Sequence, residues 1–158
     1  WDGGMREPSI CWWPGSIPAG QVSAELGTTM DIYSTSLALA GAELEQERIV
    51  DGYDLTESLK GRSKSPREFV YYYRGTRLMA LRKGPWKAHF ATQESYTSNN
   101  KLNEHDPPVL YNLEVDPSEK WDVAEQQPLV IAEIKAAAEA HKATVVAVPS
   151  QLEIPLPR

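Results

Sequence analysis

Cysteine is the scarcest chemistry in the sequence: Cys11 stands alone among 158 residues, so the chain can form neither an internal disulfide nor a paired-cysteine zinc site. Set among Ile10, Trp12 and Trp13, it reads as a buried, inert thiol. No apolar run approaches the roughly 20 residues of a membrane span, and the N-terminus lacks the basic, apolar and small-residue succession of a signal peptide. Positive charge is also short. The formal charge is −6 and the Lys and Arg residues are scattered, which argues against nucleic acid as a partner. The sequence has no His-Glu-x-x-His, no Gly-x-Ser-x-Gly and no phosphate-binding glycine loop, and no nucleophile beside a base can be picked out. An initiator methionine is missing too. The chain begins Trp1-Asp2-Gly3-Gly4 and is read as a fragment of a longer product.

What is present describes an ordinary globular chain, 41% hydrophobic and 24% charged, long enough for one domain or one domain plus a piece of a neighbour. Ile10 to Trp13 reads as a buried strand, stopped by Pro14-Gly15. Residues 28 to 41 read as a helix. Thr28 and Asp31 form a capping box, Met30, Tyr33, Leu37 and Ala40 make a core-facing stripe, and Gly41 ends it. A polar connection follows, with Asp51-Gly52-Tyr53-Asp54-Leu55 and a short helix ending at Gly61. Lys60, Arg62, Lys64 and Arg67 then form a basic loop, read as solvated charge.

From Glu68 the apolar period changes to two. Phe69 to Tyr73, Leu78 to Leu81, Trp86 to Phe90 and Val109 to Leu113 read as four strands of an antiparallel sheet. A helix over 128 to 143, with Pro128 in its first turn and a stripe of Val130, Ile131, Ile134, Ala137, Ala138 and His141, offers the cover for one face. The proline-rich end after Val148 reads as an extended tail.

Among the histidines, His141 lies on the apolar side of that helix and His89 inside a strand, so both read as packing residues. His105 is different. The run His105-Asp106-Pro107-Pro108 braces an imidazole and an acid with two prolines, which bias the residues before them to extended backbone. A neutral imidazole presented this way can donate to an anionic substrate, and the neighbouring carboxylate favours its protonated form.

Several of these stretches together carry a family resemblance. Trp1-Asp2-Gly3-Gly4-Met5-Arg6-Glu7-Pro8 resembles the aromatic-acidic-Gly-Gly-x-Arg-x-Pro signature of the sulfatases, in particular the arylsulfatase A and N-acetylgalactosamine-6-sulfatase branch. Met30-Asp31-Ile32, Asp51 to Leu55, Lys64-Ser65-Pro66-Arg67, Gly84 to Phe90 and His105 to Leu113 follow in the family's order, over about residues 1 to 125.

The resemblance implies an alkaline-phosphatase-like parent that hydrolyses sulfate esters with a formylglycine nucleophile and a calcium ion. The Cys/Ser-x-Pro-x-Arg motif that yields formylglycine is absent, because Cys11 is followed by Trp-Trp-Pro-Gly, and the calcium ligands lie upstream of the match. The fold it implies is α+β. A strand and helix from the end of the large α/β domain, residues 1–60, precede a small C-terminal subdomain, residues 61–158, with a four-stranded antiparallel sheet and a packed helix. His105 is the one site residue carried over, as a substrate contact, while Arg6 is read as half of a buried ion pair. The partners implied are the remainder of the catalytic domain and a sulfated small molecule or glycan.

Two other readings stay open. One is a related phosphate or phosphonate ester hydrolase. The other is a structural or interaction module, in which residues 1 to 45 repack on the small sheet or form a homo-oligomer contact.

Overall fold

The computed structural model describes residues 2–43, 47, 49–93 and 101–148. The chain divides into two compact units between Phe69 and Val70.

The first unit corrects several expectations. After a single 3-10 turn at Asp2–Gly4, Ile10 to Trp13 form no strand, and Ile10 and Trp12 are 94% and 84% exposed. A strand is held by the backbone of its neighbours, and the described residues of this unit contain no strand to pair with apart from the opening residue of the later sheet, Phe69. Cys11 is accordingly exposed, and Arg6 is exposed rather than buried in an ion pair.

Helix α1 (Thr29–Leu39) forms where the capping residues place it: the Asp31 carboxylate accepts from the Thr28 N–H at 2.6 Å and from its hydroxyl at 3.1 Å. Its inward face, however, is the polar one. Asp31, Ser34 and Thr35 are buried, whereas Met30 and Tyr33 stay about half exposed, Ala40 is exposed and Leu37 is intermediate.

The loop over 51–55 explains this. It has no regular structure, so its backbone groups need side-chain partners. Tyr53 N–H donates to Asp31 at 2.8 Å, Leu55 N–H donates to the Thr35 hydroxyl at 2.9 Å, and Gly52 lies directly against the Met30 carbonyl and Ser34. Hydrogen-bond satisfaction thus outweighs burial of the apolar stripe. Helix α2 (Thr56–Leu59) is a single turn that ends before Gly61, whose φ of 71° only glycine adopts without strain.

The second unit is the expected four-stranded antiparallel sheet with a helix. Strands β1 (Phe69–Arg74), β2 (Arg77–Lys83), β3 (Trp86–Gln93) and β4 (Leu102–Asn112) lie in sequence order, with two-residue connections after β1 and β2. Helix α3 (Pro128–Lys142) starts at its proline and packs on β2, β3 and β4. Ile134 and Ala138 of the helix and Leu81, Ala88 and Leu110 of the sheet are all fully buried. At about 25 cal/mol per Å² of apolar surface removed from water, these side chains form the centre of the unit's stability. His141 packs as expected, its ring stacked 3.6 Å from that of Tyr71. The expected tail after Val148 lies outside the described residues from 149 on.

Strand β4 begins earlier than expected and includes both prolines. It is an edge strand, where a missing N–H costs no ladder bond on the open side. The register runs His89↔Val109 and then Ala91↔Glu104, so four residues, His105 to Pro108, face the single Phe90. His105 therefore stands on a wide bulge within a strand rather than on a loop, and the Asp106–Pro107 peptide inside that bulge is cis.

Candidate functional site

The bulge decides what His105 can do. Extra residues on one strand leave the ladder and re-aim their side chains, which is why bulges recur beside sites. The His105 ring is half-buried, and its Nε2 lies 2.9 Å from the Thr92 hydroxyl on β3. A hydroxyl beside an imidazole has the spacing of a nucleophile and its base, but the acid that would orient the ring is turned elsewhere. Asp106 pairs with Lys135 at 3.0 Å, and Glu104 pairs with Arg77. Those ion pairs are exposed and contribute little to stability. What remains is a presented imidazole with one fixed nitrogen, suited to donating or accepting a hydrogen bond.

A second cluster was only partly foreseen. Lys87 and His89 alternate on β3 and point to one carboxylate, Glu119, from the turn after β4. Lys87 Nζ lies 2.9 Å from Glu119 Oε1 and His89 Nε2 lies 2.5 Å from Oε2, and all three side chains are at most 6% exposed. The Lys87 cation also sits 4.7 Å from the Tyr72 ring, and His89 meets Tyr111 edge-on at 5.8 Å. Glu119 holds a left-handed φ of 52°, an uncommon conformation for a residue with a side chain.

Burial pushes the Glu119 carboxyl up, but hydrogen bonds from His89 and Lys87 and their charges more than reverse this and hold it at about 2. Burial pushes His89 down, helped by the Lys87 cation and opposed by Glu119. The ring is thus neutral near pH 7, and its Nε2–H donates to the carboxylate. These groups satisfy one another away from solvent, so the cluster locks the sheet to the turn and has no open valence for a substrate. The period-two pattern signalled that Lys87 and His89 share a face. Nothing local pointed to Glu119.

The basic loop is also resolved into structure. Arg67 is buried, not solvated: its Nε lies 2.8 Å from Asp31 Oδ2, and its Nη2 donates to Oδ1 at 2.5 Å and to the Asp51 carbonyl at 2.8 Å. Its guanidinium also covers the Tyr53 ring at 4.7 Å. Such a bidentate pair is a structural clasp between α1 and the segment after α2. Lys60 and Arg62 both reach Glu57 at 3.5 Å.

Among the described residues, no group of three or more His, Cys, Asp or Glu side chains stands where it could hold a metal ion. The described residues also contain no helix long and apolar enough to cross a membrane.

Comparison with known proteins adds to this geometry. A family described as the C-terminal region of aryl-sulfatase matches residues 65–155. The chain is similar to N-acetylgalactosamine-6-sulfatase of Canis lupus familiaris, with 39% identity over 142 residues, covering 78% of this chain and 27% of that protein. It is also similar to arylsulfatase D of Homo sapiens, with 34% identity over 179 residues, covering 98% of this chain and 30% of that protein. Among solved structures, the PsFucS1 sulfatase from Pseudoalteromonas sp. aligns with a TM-score of 0.74 at 32% identity, over 84% of this chain and 28% of that one. The chain thus spans less than a third of the length of these relatives.

Proposed function

The chain belongs to the sulfatase family as its C-terminal region, and on that premise we propose that it is the C-terminal portion of an enzyme that hydrolyses sulfate esters. The observation that carries this is the 0.74 TM-score at 32% identity with a sulfatase, joined to the family match over 65–155. In this reading residues 1–60 complete the large α/β domain and residues 61–158 form the small subdomain.

In this reading a formylglycine and a calcium ion held by the part of the enzyme outside this chain would supply the nucleophile and the charge that neutralises the sulfuryl oxygens. The described donor residues do not fit a calcium site. This chain contributes substrate contact. His105, presented by the bulge and anchored at Nε2, donates a hydrogen bond to the anionic ester, and the Lys87–Glu119–His89 lock keeps the sheet beneath it rigid.

The exposed apolar residues of the first unit support the rest of the reading. Ile10, Trp12, Met30 and Tyr33 form surface suited to the remainder of the catalytic domain or to a second copy of the chain. By itself the chain is inactive.

The test is hydrolysis of an aromatic sulfate ester with calcium present, by this chain alone and by the full-length gene product. Activity confined to the full-length protein is expected. Activity in neither would redirect the assignment to phosphate or phosphonate esters or to a purely structural role, and activity in the isolated chain would overturn it.

A further inference from the structure

We propose that Thr92 is a positioning residue for His105, holding the imidazole as the tautomer whose proton is on Nδ1. The Thr92 hydroxyl lies 2.9 Å from Nε2 and fixes that nitrogen. A neutral imidazole has one donor and one acceptor nitrogen, so the role of Nε2 toward Thr92 sets the role left to Nδ1. The two neighbouring carboxylates do not compete: Glu104 is paired with Arg77 and Asp106 with Lys135. His105 also lies on the bulge, where the ladder does not set the ring's direction, so the contact from β3 does.

The direction of the hydrogen bond follows from the ligand. If Nε2–H donated to Thr92, Nδ1 would present a bare lone pair and repel a sulfuryl oxygen. If Thr92 donates to Nε2, Nδ1–H is free to donate to that oxygen. This step rests on the reading of His105 as a contact to an anionic ester.

The experiment is in two parts. In the 15N-labelled chain at about pH 9, well above the ordinary imidazole range, the ring nitrogens of His105 are assigned with a His105→Gln variant and read by NMR. The wild type shows a protonated Nδ1 and a bare Nε2. Thr92→Val shifts the ring toward the Nε2–H form, and Thr92→Ser restores the original state.

In the full-length enzyme, Thr92→Val raises KM for an aromatic sulfate ester about five- to tenfold, the worth of one hydrogen bond, with kcat changed less than about twofold. Thr92→Ser recovers the KM. A wild-type His105 protonated on Nε2, or a Thr92→Val ring still protonated on Nδ1, overturns the proposal. If the tautomer responds as stated but His105→Ala leaves KM unchanged, the substrate-contact reading fails while the control of the tautomer by Thr92 stands.

Discussion

Replacing Glu119 with Gln keeps the side chain's shape and removes its charge, which takes the Glu119 counter-charge away from the buried Lys87 ammonium. The Lys87 and Glu119 side chains are 2% and 1% exposed and 2.9 Å apart, so water cannot repair the loss. Removing one partner of such a pair costs about 3–5 kcal/mol. The same His89 and Lys87 contacts hold the carboxyl at about 2, below its ordinary 4.5, so the folded state favours the charged form that Gln removes. Against a typical domain stability of about 5–15 kcal/mol, this leaves the sheet marginal.

Urea unfolding of the chain followed by circular dichroism is the assay, comparing midpoints at constant slope. The companion variant Lys87→Met/Glu119→Leu removes both charges at similar volume and recovers most of the loss, with a shortfall because His89 Nε2 loses its acceptor. A Glu119→Gln loss below about 1 kcal/mol would refute the reasoning, as it would mean that the cluster is hydrated or unformed.

Other outcomes are expected from the same structure. Because the Glu119 carboxyl is depressed when folded, its contribution is complete above its ordinary 4.5 and is lost as pH falls toward about 2; His89, also depressed, starts to cost stability once pH drops below 6.5. A stability profile by urea midpoint should therefore fall monotonically from pH 7 to 3, and a flat profile would contradict the cluster. Asp31→Asn strips the counter-charge from buried Arg67 and should cost the first unit about 3–5 kcal/mol, seen as faster limited proteolysis of residues 2–69. Gly52→Ala drives a methyl group into the Met30 carbonyl and Ser34 and should cost about 1–3 kcal/mol by the same assay. Cys11 should react with a thiol reagent in the native isolated chain at a rate near that of the unfolded chain, since it is exposed; strong protection would show that the segment is covered.

The hairpin strands and the last helix were legible in the sequence because their information is local. Phe69 to Phe90 alternates with a period of two between turn residues, and Pro128 followed by Ile131, Ile134 and Ala138 spells a helix start and one buried face. The cap at Thr28 and Asp31 was legible for the same reason.

Other features depended on residues far apart in the chain, and only the tertiary structure decided them. Glu119 meets Lys87 and His89 from about thirty residues away, and Arg67 reaches Asp31 across a similar gap. The unpaired backbone of the loop over 51–55 turned the polar face of α1 inward, a demand that periodicity does not record. Ile10 to Trp13 has the composition of a strand but, among the described residues of its own unit, no strand beside it to complete a ladder. The two prolines marked His105 as unusual. It took the register between β3 and β4 to place it on a bulge, and the packing across that register to set it against Thr92. Local pattern determines which segment becomes which element, whereas pairing across the chain determines where charge is buried and where a side chain is aimed.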